Sequence, residues 1–289
     1  MNIRCLHTFC AVADRGSLAA AARHLGLANA SVAEQVRTLE AELKAKLVVR
    51  RGQGIALTDA GQAVLGTVRQ IVARADDLRH LAQVGRLSGR LRVGAISTAL
   101  VALMPMTLRW LSERHPDIEI KVVPGTLVGL LKMLEDGEID CALAVHPHFQ
   151  LPKSVSWRLI REEPLVAISR NVRASRALLN DFPFIRMDRK AWTGQLVSRF
   201  LHDQRISTRE LFELDAPETI VVLVAEGVGV SLLPNWGIVP PLDRKIRVHR
   251  IKDPKYARHV GVFGNRGGAA ALIEVFAEAV AASASANSL

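Results

Sequence analysis

The residues of this sequence that could do binding chemistry are hydroxyls placed where helices are expected to begin. Ser97 and Thr98 follow the strand-like run LRVGAI, and Thr126 follows the strand-like run IEIKVV. Trp192 and Thr193 stand before a later helical pattern. Hydroxyls and free backbone N–H groups at a helix start form anion sites, and α/β sheets bind ligands at the carboxyl ends of their strands. These five residues are therefore the predicted ligand site, although each hydroxyl could instead only cap its helix.

The charges near these hydroxyls favour a small organic anion as the ligand. Arg189 and Lys190 lie close to Trp192 in the sequence, and the indole ring could support an aromatic or apolar ligand body. A neutral or cationic metabolite is the alternative. It would require carboxylates, for which only Asp188 and Glu218 are nearby.

The other reactive side chains form no catalytic or metal-binding pattern. The sequence contains no GxSxG, no Walker loop and no GxGxxG before a helix. His146 and His148 flank a proline without a supporting cysteine or carboxylate cluster, and Glu162-Glu163 is interpreted as a solvated charge pair. Three cysteines form no CxxC pair and are predicted to be buried free thiols: Cys5, Cys10 and Cys141. We therefore expect no enzyme, no cofactor and no metal site.

The positive charge of the chain is concentrated near its N-terminus. The net charge is +10 at pH 7, and residues 1–90 contain 13 Lys and Arg against 7 Asp and Glu, giving +6. A concentrated basic excess is typical of a protein with a polyanion partner. No apolar run reaches the roughly 18 residues of a membrane span, and a signal peptide is not evident, so we expect a cytoplasmic protein. Disorder is expected only in the small, polar tail ASASANSL.

Three helical patterns precede residue 44. Apolar spacing predicts a first helix over about residues 2–14, and Ser17 and Gly26 would begin and end a second. A third begins near Ala28 or Asn29. Its core positions are Val32, Val36, Leu39 and Leu43. Two short helices around a tight turn form a helix-turn-helix unit, which places its second helix in the major groove of DNA.

The exposed side of the third helix and a hairpin after it provide the candidate DNA contacts. The run KLVVRRGQGIALT predicts two strands around a glycine-bearing turn, which fits a wing that follows the phosphate backbone. A plain three-helix domain that packs on another part of the chain is the alternative. The predicted DNA-binding residues are Asn29, Ser31, Glu34, Arg37, Arg50 and Arg51.

A long helix is predicted from residue 59 to about residue 84, with an apolar seam in steps of four and three. Roughly 26 residues with a rise of ~1.5 Å each give a rod of about 39 Å. Either the chain's own body or the same helix of a second subunit must cover the seam. We favour the second subunit because dimeric helix-turn-helix proteins contact two half-sites. The predicted dimerisation residues are Val64, Val68, Ile71, Ala75, Leu78 and Ala82.

Strand and helix patterns alternate through the rest of the chain, which predicts an α/β fold with a mostly parallel sheet. The pattern restarts near PLVAIS, which indicates two subdomains with a cleft between them, where ligands often bind. The predicted domains are a winged helix-turn-helix over 1–58, a linker helix over 59–86 and a ligand-binding region over 87–289. Its first half covers about 90–162 and 264–285, and its second half about 163–263.

Residues 6–65 resemble the N-terminus of LysR-type transcriptional regulators. The matching positions are Leu6, Phe9, Val12-Ala13, Gly16-Ser17, Ala21-Ala22, Leu39-Glu40, Leu43, Leu47, Arg50 and Leu57-Thr58-Asp59-Ala60-Gly61. Lys44 and Val48 stand where the family usually has Gly and Phe. Later stretches are similar to the family's effector domain, among them GEID at 137–140 and EGVGV at 226–230.

The resemblance implies a DNA-binding transcriptional regulator controlled by a small-molecule effector, and Ser97 and Thr126 match effector positions of the family. It implies a two-subdomain α/β effector-binding domain that resembles periplasmic solute-binding proteins, with crossovers placed near Leu159–Ser169 and Arg258–Phe263. The expected partners are double-stranded DNA, the effector and further copies of the chain in a homodimer or homotetramer, with no membrane. A solute-binding protein with an accessory N-terminal domain is the alternative function.

Overall fold

The first part of the chain forms a small helical domain with a two-stranded hairpin, followed by a long helix. The computed structural model describes residues 1–52, 54–81, 87–170, 176–237, 245–265 and 269–286. The helices of this part are α1 (Ile3–Arg15), α2 (Leu18–Leu25), α3 (Asn29–Leu43) and α4 (Asp59–Leu81). The hairpin consists of β1 (Val48–Arg51) and β2 (Gly54–Leu57).

A capping serine and two glycines determine where the first helices begin and end. The Ser17 hydroxyl accepts a hydrogen bond from the backbone N–H of Ala20 at the start of α2, which confirms the predicted cap. The chain leaves α1 at Gly16 (φ 61°) and α2 at Gly26 (φ 65°), in the left-handed region that glycine adopts without strain. α3 ends instead at Lys44, whose φ of 52° places a non-glycine residue in the same region.

The alanines of α2 allow this helix to pack closely on α3. Ala21 and Ala22 are buried in one apolar cluster with Val32 and Val36 of α3, and Val12 of α1 belongs to the same cluster. Because small side chains fill this contact, the helices approach closely with little room for rearrangement. The opposite face of α3 is consequently held toward solvent.

The larger domain has two halves. The first contains β3 (Gly89–Ala95), α5 (Ser97–Ala102), α6 (Met104–Arg114), β4 (Ile118–Pro124), α7 (Leu127–Glu135), β5 (Cys141–Val145) and the start of β6 (Val155–Ser169). The second contains α8 (Arg176–Asp181), β7 (Pro183–Met187), α9 (Trp192–Asp203), β8 (Arg209–Leu214), α10 (Pro217–Ala225), β9 (Ser231–Pro234) and β10 (Arg247–Arg250). A 3₁₀ turn (Pro254–Tyr256), β11 (Ala257–Asn265) and α11 (Ala270–Ala286) complete the chain's described elements.

Two long antiparallel strands connect the halves of this domain. β3 pairs in parallel with β4 and β5, and β11 runs antiparallel between β5 and β6. β6 continues into the second half, where it pairs with β9 and β10. β7 and β8 of the second half are parallel. The predicted two-part α/β fold is confirmed, and the cleft between its halves lies beside β6 and β11. The expectation of a mostly parallel sheet is wrong, because β6 and β11 run antiparallel to all their neighbours.

The C-terminal helix corrects the expectation of a disordered tail for residues 282–286, which belong to α11. Ser283 and Ala284 are buried, and the Thr107 hydroxyl of α6 lies 3.2 Å from the Ser283 hydroxyl. Alanine is the strongest helix former, and its small side chain fits the α6 contact. Residues 287–289 of that tail lie outside the described residues. Within the described part of the chain, no helix combines the length and apolar character needed to cross a membrane.

Candidate functional site

The exposed face of α3 presents the predicted DNA-contacting side chains. Asn29, Ser31, Glu34 and Arg37 are all exposed, while the opposite face of α3 is buried in the helical core. The Thr8 hydroxyl of α1 donates a 2.6 Å hydrogen bond to the Gln35 side chain, which fixes the rotation of α3 about its axis. This is the arrangement in which a second helix can enter a major groove.

The hairpin after α3 projects from the same domain. β1 and β2 pair in antiparallel register, and Arg50 and Arg51 of β1 are exposed. The backbone N–H of Ile55 donates a 2.8 Å hydrogen bond to the carbonyl of Gly16, which anchors the hairpin to the turn between α1 and α2. Both guanidinium groups can therefore reach a backbone that passes beside α3. Gln53, in the predicted turn, lies outside the described residues.

Sequence reasoning missed the role of Glu40, a buried carboxylate that connects α3 to the hairpin. Its Oε1 accepts hydrogen bonds from the backbone N–H groups of Leu47 (2.9 Å) and Val48 (3.3 Å), and its Oε2 accepts one from Lys46 Nζ at 2.7 Å. Burial alone would raise the pKa of Glu40, but these hydrogen bonds hold it below its ordinary value. The available signal was its place four residues after the core position Val36.

The N-terminal half of the predicted seam of α4 packs inside the chain. Val68 is buried against α1, and Val64 and Ile71 pack partly buried against the same cluster. Farther along α4, Leu78 is 68% exposed. Ala75 is half-buried, and Ala82 lies outside the described residues. The chain's own body thus covers the first half of the seam, and dimerisation through the second half stays a prediction.

Arg69 of α4 joins three parts of the chain. Its guanidinium pairs with Asp14 of α1 at 2.5 Å and with Glu138 of the larger domain at 3.1 Å, and it donates to the Asp136 carbonyl at 3.3 Å. A Cβ added to Gly137 (φ 66°) would lie 3.0 Å from Arg69 Cβ, so the turn after α7 fits closely on α4. A cavity of about 280 Å³ beside Arg69 is lined by α1, α4 and the larger domain.

A buried ion-pair cluster connects β6 and β11 at the cleft. Glu163 and Arg258 face each other in register and are 1% and 6% exposed. Arg258 Nε donates to Glu163 Oε2 at 2.6 Å, and Arg161 Nε donates to Glu163 Oε1 at 2.7 Å. Arg161 also donates to the carbonyl of Trp236 at 2.6 Å. Because two guanidinium groups share one carboxylate, the cluster carries a charge of +1.

Arg258 brings together two of the predicted ligand-site hydroxyls. Its Nη2 donates to Thr98 Oγ1 at 2.9 Å, and its Nη1 donates to Thr193 Oγ1 at 3.0 Å. Thr98 lies in α5 of the first half and Thr193 in α9 of the second, so one guanidinium spans the cleft. Both hydroxyls are buried and already engaged.

A small cavity of about 40 Å³ lies beside Arg258. Its lining residues are Val145, His146, His148, Trp192, Thr193, Leu196, Ala257, Arg258 and His259. The rings of His148 and Trp192 lie 4.5 Å apart between centroids. Partial burial, together with the charge of Arg199, lowers the pKa of His148, so its ring is mostly neutral at pH 7. Small-molecule sites usually occupy about 300 Å³ or more, so this cleft must widen to admit an organic ligand.

Ser97 and Thr126, the other predicted ligand-site hydroxyls, do not line this cavity. Ser97 is exposed at the start of α5. Thr126 is exposed before α7 and caps it by accepting a 3.3 Å hydrogen bond from the backbone N–H of Gly129. The structure thus gathers Thr98, Trp192 and Thr193 around Arg258 and leaves these two hydroxyls on exposed helix starts.

Two expectations about charge near the cleft are wrong. Glu163 is not solvated, because Arg258 and Arg161 enclose it in a buried cluster. Arg189 is not available to a ligand, because β8 brings Glu210 and Glu213 next to it and both carboxylates accept its hydrogen bonds. Arg258 and Arg161 therefore supply the positive charge inside the cleft, and Arg199 adds charge near His148.

Sequence reasoning missed Arg258, the central residue of the cleft. Its partners Glu163, Thr193 and Thr98 are 95, 65 and 160 residues away, so no local spacing connects them. The one available signal was an arginine two residues before the apolar run VGVF of a strand that should be buried. Within the described residues, no group of three or more His, Cys, Asp or Glu side chains could hold a metal ion.

Both parts of the chain are similar to known protein families. Residues 3–62 match the family "Bacterial regulatory helix-turn-helix protein, lysR family". Residues 85–285 match the family "LysR substrate binding domain". The HTH-type transcriptional regulator CzcR of Bacillus cereus is 26% identical over 250 residues, which cover 86% of this chain and 85% of CzcR.

Two solved structures share the fold of the chain. Full-length OxyR from Pseudomonas aeruginosa superposes with a TM-score of 0.76 at 24% identity, over 97% of this chain and 94% of OxyR. Full-length CbnR complexed with its target DNA gives a TM-score of 0.61 at 22% identity, over 98% of this chain and 100% of CbnR. With a helix-turn-helix domain and a two-part effector-binding domain that both match, this chain belongs to the LysR family of DNA-binding transcriptional regulators.

Proposed function

We propose that this regulator binds its operator through α3 and the hairpin and that a small organic anion in the cleft controls it. On the DNA side, Asn29, Ser31, Glu34 and Arg37 face the major groove, and Arg50 and Arg51 contact phosphates. Support comes from the exposure of all six side chains on one domain and from the basic excess of the first 90 residues. Because chromosomal DNA is the target, the proposed place of action is the cytoplasm.

The observation that carries the effector proposal is the charge of the cluster at the cleft. Arg161 and Arg258 share the single carboxylate of Glu163, and Glu163 and Arg258 are almost completely buried while Arg161 is 15% exposed. A buried positive charge is unfavourable unless an anion compensates it. A ligand carboxylate beside Arg258 would supply that compensation. The Trp192 ring, which already contacts His148, can support an apolar ligand body.

Effector binding is proposed to widen the cleft. The cavity of about 40 Å³ is too small for an organic acid, and Arg258 holds both halves through Thr98 and Thr193. An incoming carboxylate would accept N–H donors of Arg258 in place of these hydroxyls, which releases one half from the other. Such a ligand shifts the population toward the open form by its higher affinity for that form.

The signal is proposed to reach the DNA-binding domain through α4. The larger domain contacts α4 at the turn after α7, where Arg69 pairs with Glu138, and Arg69 also pairs with Asp14 of α1. We further propose that α4 pairs with its copy in a second subunit through its C-terminal half, where Leu78 is exposed. Two half-sites would then be bound by one dimer.

The effector proposal is tested by thermal unfolding of the full chain with a panel of small carboxylic acids, their amides and the corresponding amines. We expect acids to raise the midpoint and to change operator affinity, while amides and amines do neither. Thr193→Val removes one of the hydrogen bonds by which Arg258 holds the cleft closed, so it should shift the response to roughly tenfold lower concentrations of the best acid, the worth of one hydrogen bond to a charged group. Thr208→Val, in the loop before β8, is the matched control and should respond like the wild type.

A different ranking in this panel would contradict the proposal. If amines stabilise the chain and acids do not, the neutral or cationic metabolite that the sequence left open is the better effector. If acids act equally on the wild type and on Thr193→Val, the ligand lies away from Arg258. Operator binding measured without ligand tests the proposed DNA-binding residues independently of the result with this panel.

A further inference from the structure

The exposed face of α3 carries an ion pair that is flanked by alanines. Ala30, Glu34, Arg37 and Ala41 follow each other in steps of four, three and four, opposite the buried residues of α3. Arg37 Nη1 lies 3.3 Å from Glu34 Oε2, and the two side chains are 67% and 70% exposed. The alanines on either side are too short to hinder close approach to a surface. Glu34 and Arg37 are thus the charged groups that reach farthest from this stripe.

The other two carboxylates of α3 have structural partners. Glu40 is buried and accepts hydrogen bonds from the hairpin backbone and Lys46. Glu42 pairs with the amino terminus of Met1 at 3.5 Å. Within α3, all of which the structure describes, Glu34 is therefore the carboxylate placed on the stripe that would face DNA.

A carboxylate in this place opposes DNA binding unless something compensates it. The phosphates on both sides of the major groove repel a negative charge. Arg37 neutralises part of this charge, because it lies within ion-pair distance. The remaining compensation can come from hydrogen-bond donors in the groove, where cytosine presents its N4 amino group to carboxylates and guanine presents O6 and N7 to arginine.

We infer that Glu34 and Arg37 form a reading pair that selects a G·C base pair in the operator. Glu34 accepts a hydrogen bond from cytosine N4, and Arg37 donates to guanine O6 and N7. Three residues along α3 correspond to about 4.5 Å, which is close to the 3.4 Å step between bases. The two side chains therefore reach the same base pair or adjacent ones. This inference rests on the proposed function, in which α3 is the helix that contacts bases.

With this reading pair, affinity for DNA and specificity for its sequence come from different residues of the domain. The pair has no net charge, so it adds little to the general attraction for phosphates. That attraction falls to exposed cations elsewhere, including Arg50 and Arg51 of the hairpin. Removing the Glu34 carboxylate should therefore raise the affinity for unrelated DNA while it weakens the discrimination between bases. A pair that only stabilises the surface of α3 would not produce both effects.

The test is enrichment of DNA from a random-sequence pool by the full chain, with wild type, Glu34→Ala, Glu34→Gln and Glu42→Gln compared. We expect one position at which the wild type prefers cytosine by roughly tenfold. Glu34→Ala should lose that preference and bind unrelated DNA more tightly. Glu34→Gln should prefer adenine there, because an amide pairs with adenine N6 and N7. Glu42→Gln removes the same charge away from the stripe and should keep the wild-type motif.

The possible outcomes have different meanings. If Glu34→Ala and Glu34→Gln keep the wild-type preference at every position, the inference is wrong, while α3 can still be the reading helix. If Glu42→Gln changes the motif as Glu34→Gln does, net charge rather than base contact is responsible, and the inference is also wrong. If the wild type enriches no motif, the proposed function of α3 fails and the inference fails with it. Circular dichroism of each variant checks that α3 is still folded.

Discussion

Glu40 connects the helix proposed to contact bases with the hairpin proposed to contact phosphates. Its carboxylate accepts hydrogen bonds from two hairpin N–H groups and from Lys46. The lowered pKa of Glu40 means that the folded state prefers the charged form of this side chain. A neutral side chain of the same shape keeps the packing but weakens these hydrogen bonds, so the cost of replacing Glu40 must depend on pH.

We expect Glu40→Gln to destabilise the N-terminal domain by about 1–3 kcal/mol at pH 7. The extra stability of the wild type is present above the pKa of Glu40 in the unfolded chain, which is about 4.3. It is lost as the pH falls through the lower pKa of Glu40 in the folded protein. Hydrogen exchange of α1 and α3 amides in the full chain, corrected for intrinsic rates, measures this difference. Glu113→Gln, which removes an exposed ion pair in α6, is the control. A pH-independent effect of Glu40→Gln would contradict the account.

Lys44 is the second residue with a specific energetic consequence. Its φ of 52° is left-handed, where a side chain costs roughly 1–2 kcal/mol. Lys44→Gly should therefore stabilise the domain by about 1 kcal/mol, even though glycine makes the unfolded chain more flexible. Ala41→Gly, in the exposed helical part of α3, should instead cost about 0.5–1 kcal/mol. Chemical denaturation measures the free energy of unfolding of both variants. If Lys44→Gly lowers this free energy as Ala41→Gly does, Lys44 is not strained.

At the scale of elements, the sequence predicts the helices and strands well where the signal is local. Ser17, Gly26 and the periodic apolar residues of α3 act within a few positions, and the structure confirms the elements that they predict. Leu43 is the exception among the predicted core positions, because it lies at the end of α3 and is 38% exposed. The sequence does not determine what covers the apolar seam of α4. The same spacing of apolar residues suits packing against the chain's own body and packing against the α4 helix of a second subunit. Val68 contacts α1 in the chain itself. The sequence could not tell which half of α4 would be covered.

The exposed side chain of Leu78 on α4 gives a prediction about assembly. Leu78→Asp should abolish the dimer, because pairing would bury an unpaired charge at a cost of several kcal/mol. The fold of one subunit should be unaffected, since Leu78 is 68% exposed within it. Sedimentation velocity measures the loss, and Val128→Asp on α7, where Val128 is also strongly exposed, is the control. A wild-type oligomer in Leu78→Asp would mean that α4 does not form the interface.

At the scale of the whole molecule, the contacts that matter most join residues far apart in the sequence. Arg258 spans the cleft, and Arg69 links α1, α4 and the larger domain. Thr98 and Thr193 could be predicted from their places at helix starts, but the arginine between them could not. Such pairs depend on how β6 and β11 align, and no periodicity in one segment reports that alignment.

The Arg69 contact predicts an energetic coupling between the larger domain and α4. In a double-mutant cycle of Arg69→Gln and Glu138→Gln, we expect a coupling energy of about 0.5–3 kcal/mol, because the guanidinium is largely shielded from water. Hydrogen exchange of α4 amides in the full chain provides the free energies. The exposed pair of Arg109 and Glu113 should give a coupling too small to resolve. Additive effects of the two Arg69-site variants would show that the domains are not coupled there.

The central claim is that this chain binds a specific DNA sequence through its N-terminal domain. The most direct measurement is the affinity of the full chain for an enriched DNA sequence and for its shuffled version, titrated over salt concentrations from about 50 to 200 mM. The account predicts a steep loss of affinity with salt for both DNAs, with the enriched sequence bound at least about 10³-fold more tightly. Arg51→Ala should lower the slope by about one for both sequences. Equal affinity for the two DNAs, or a slope near zero, would contradict the account.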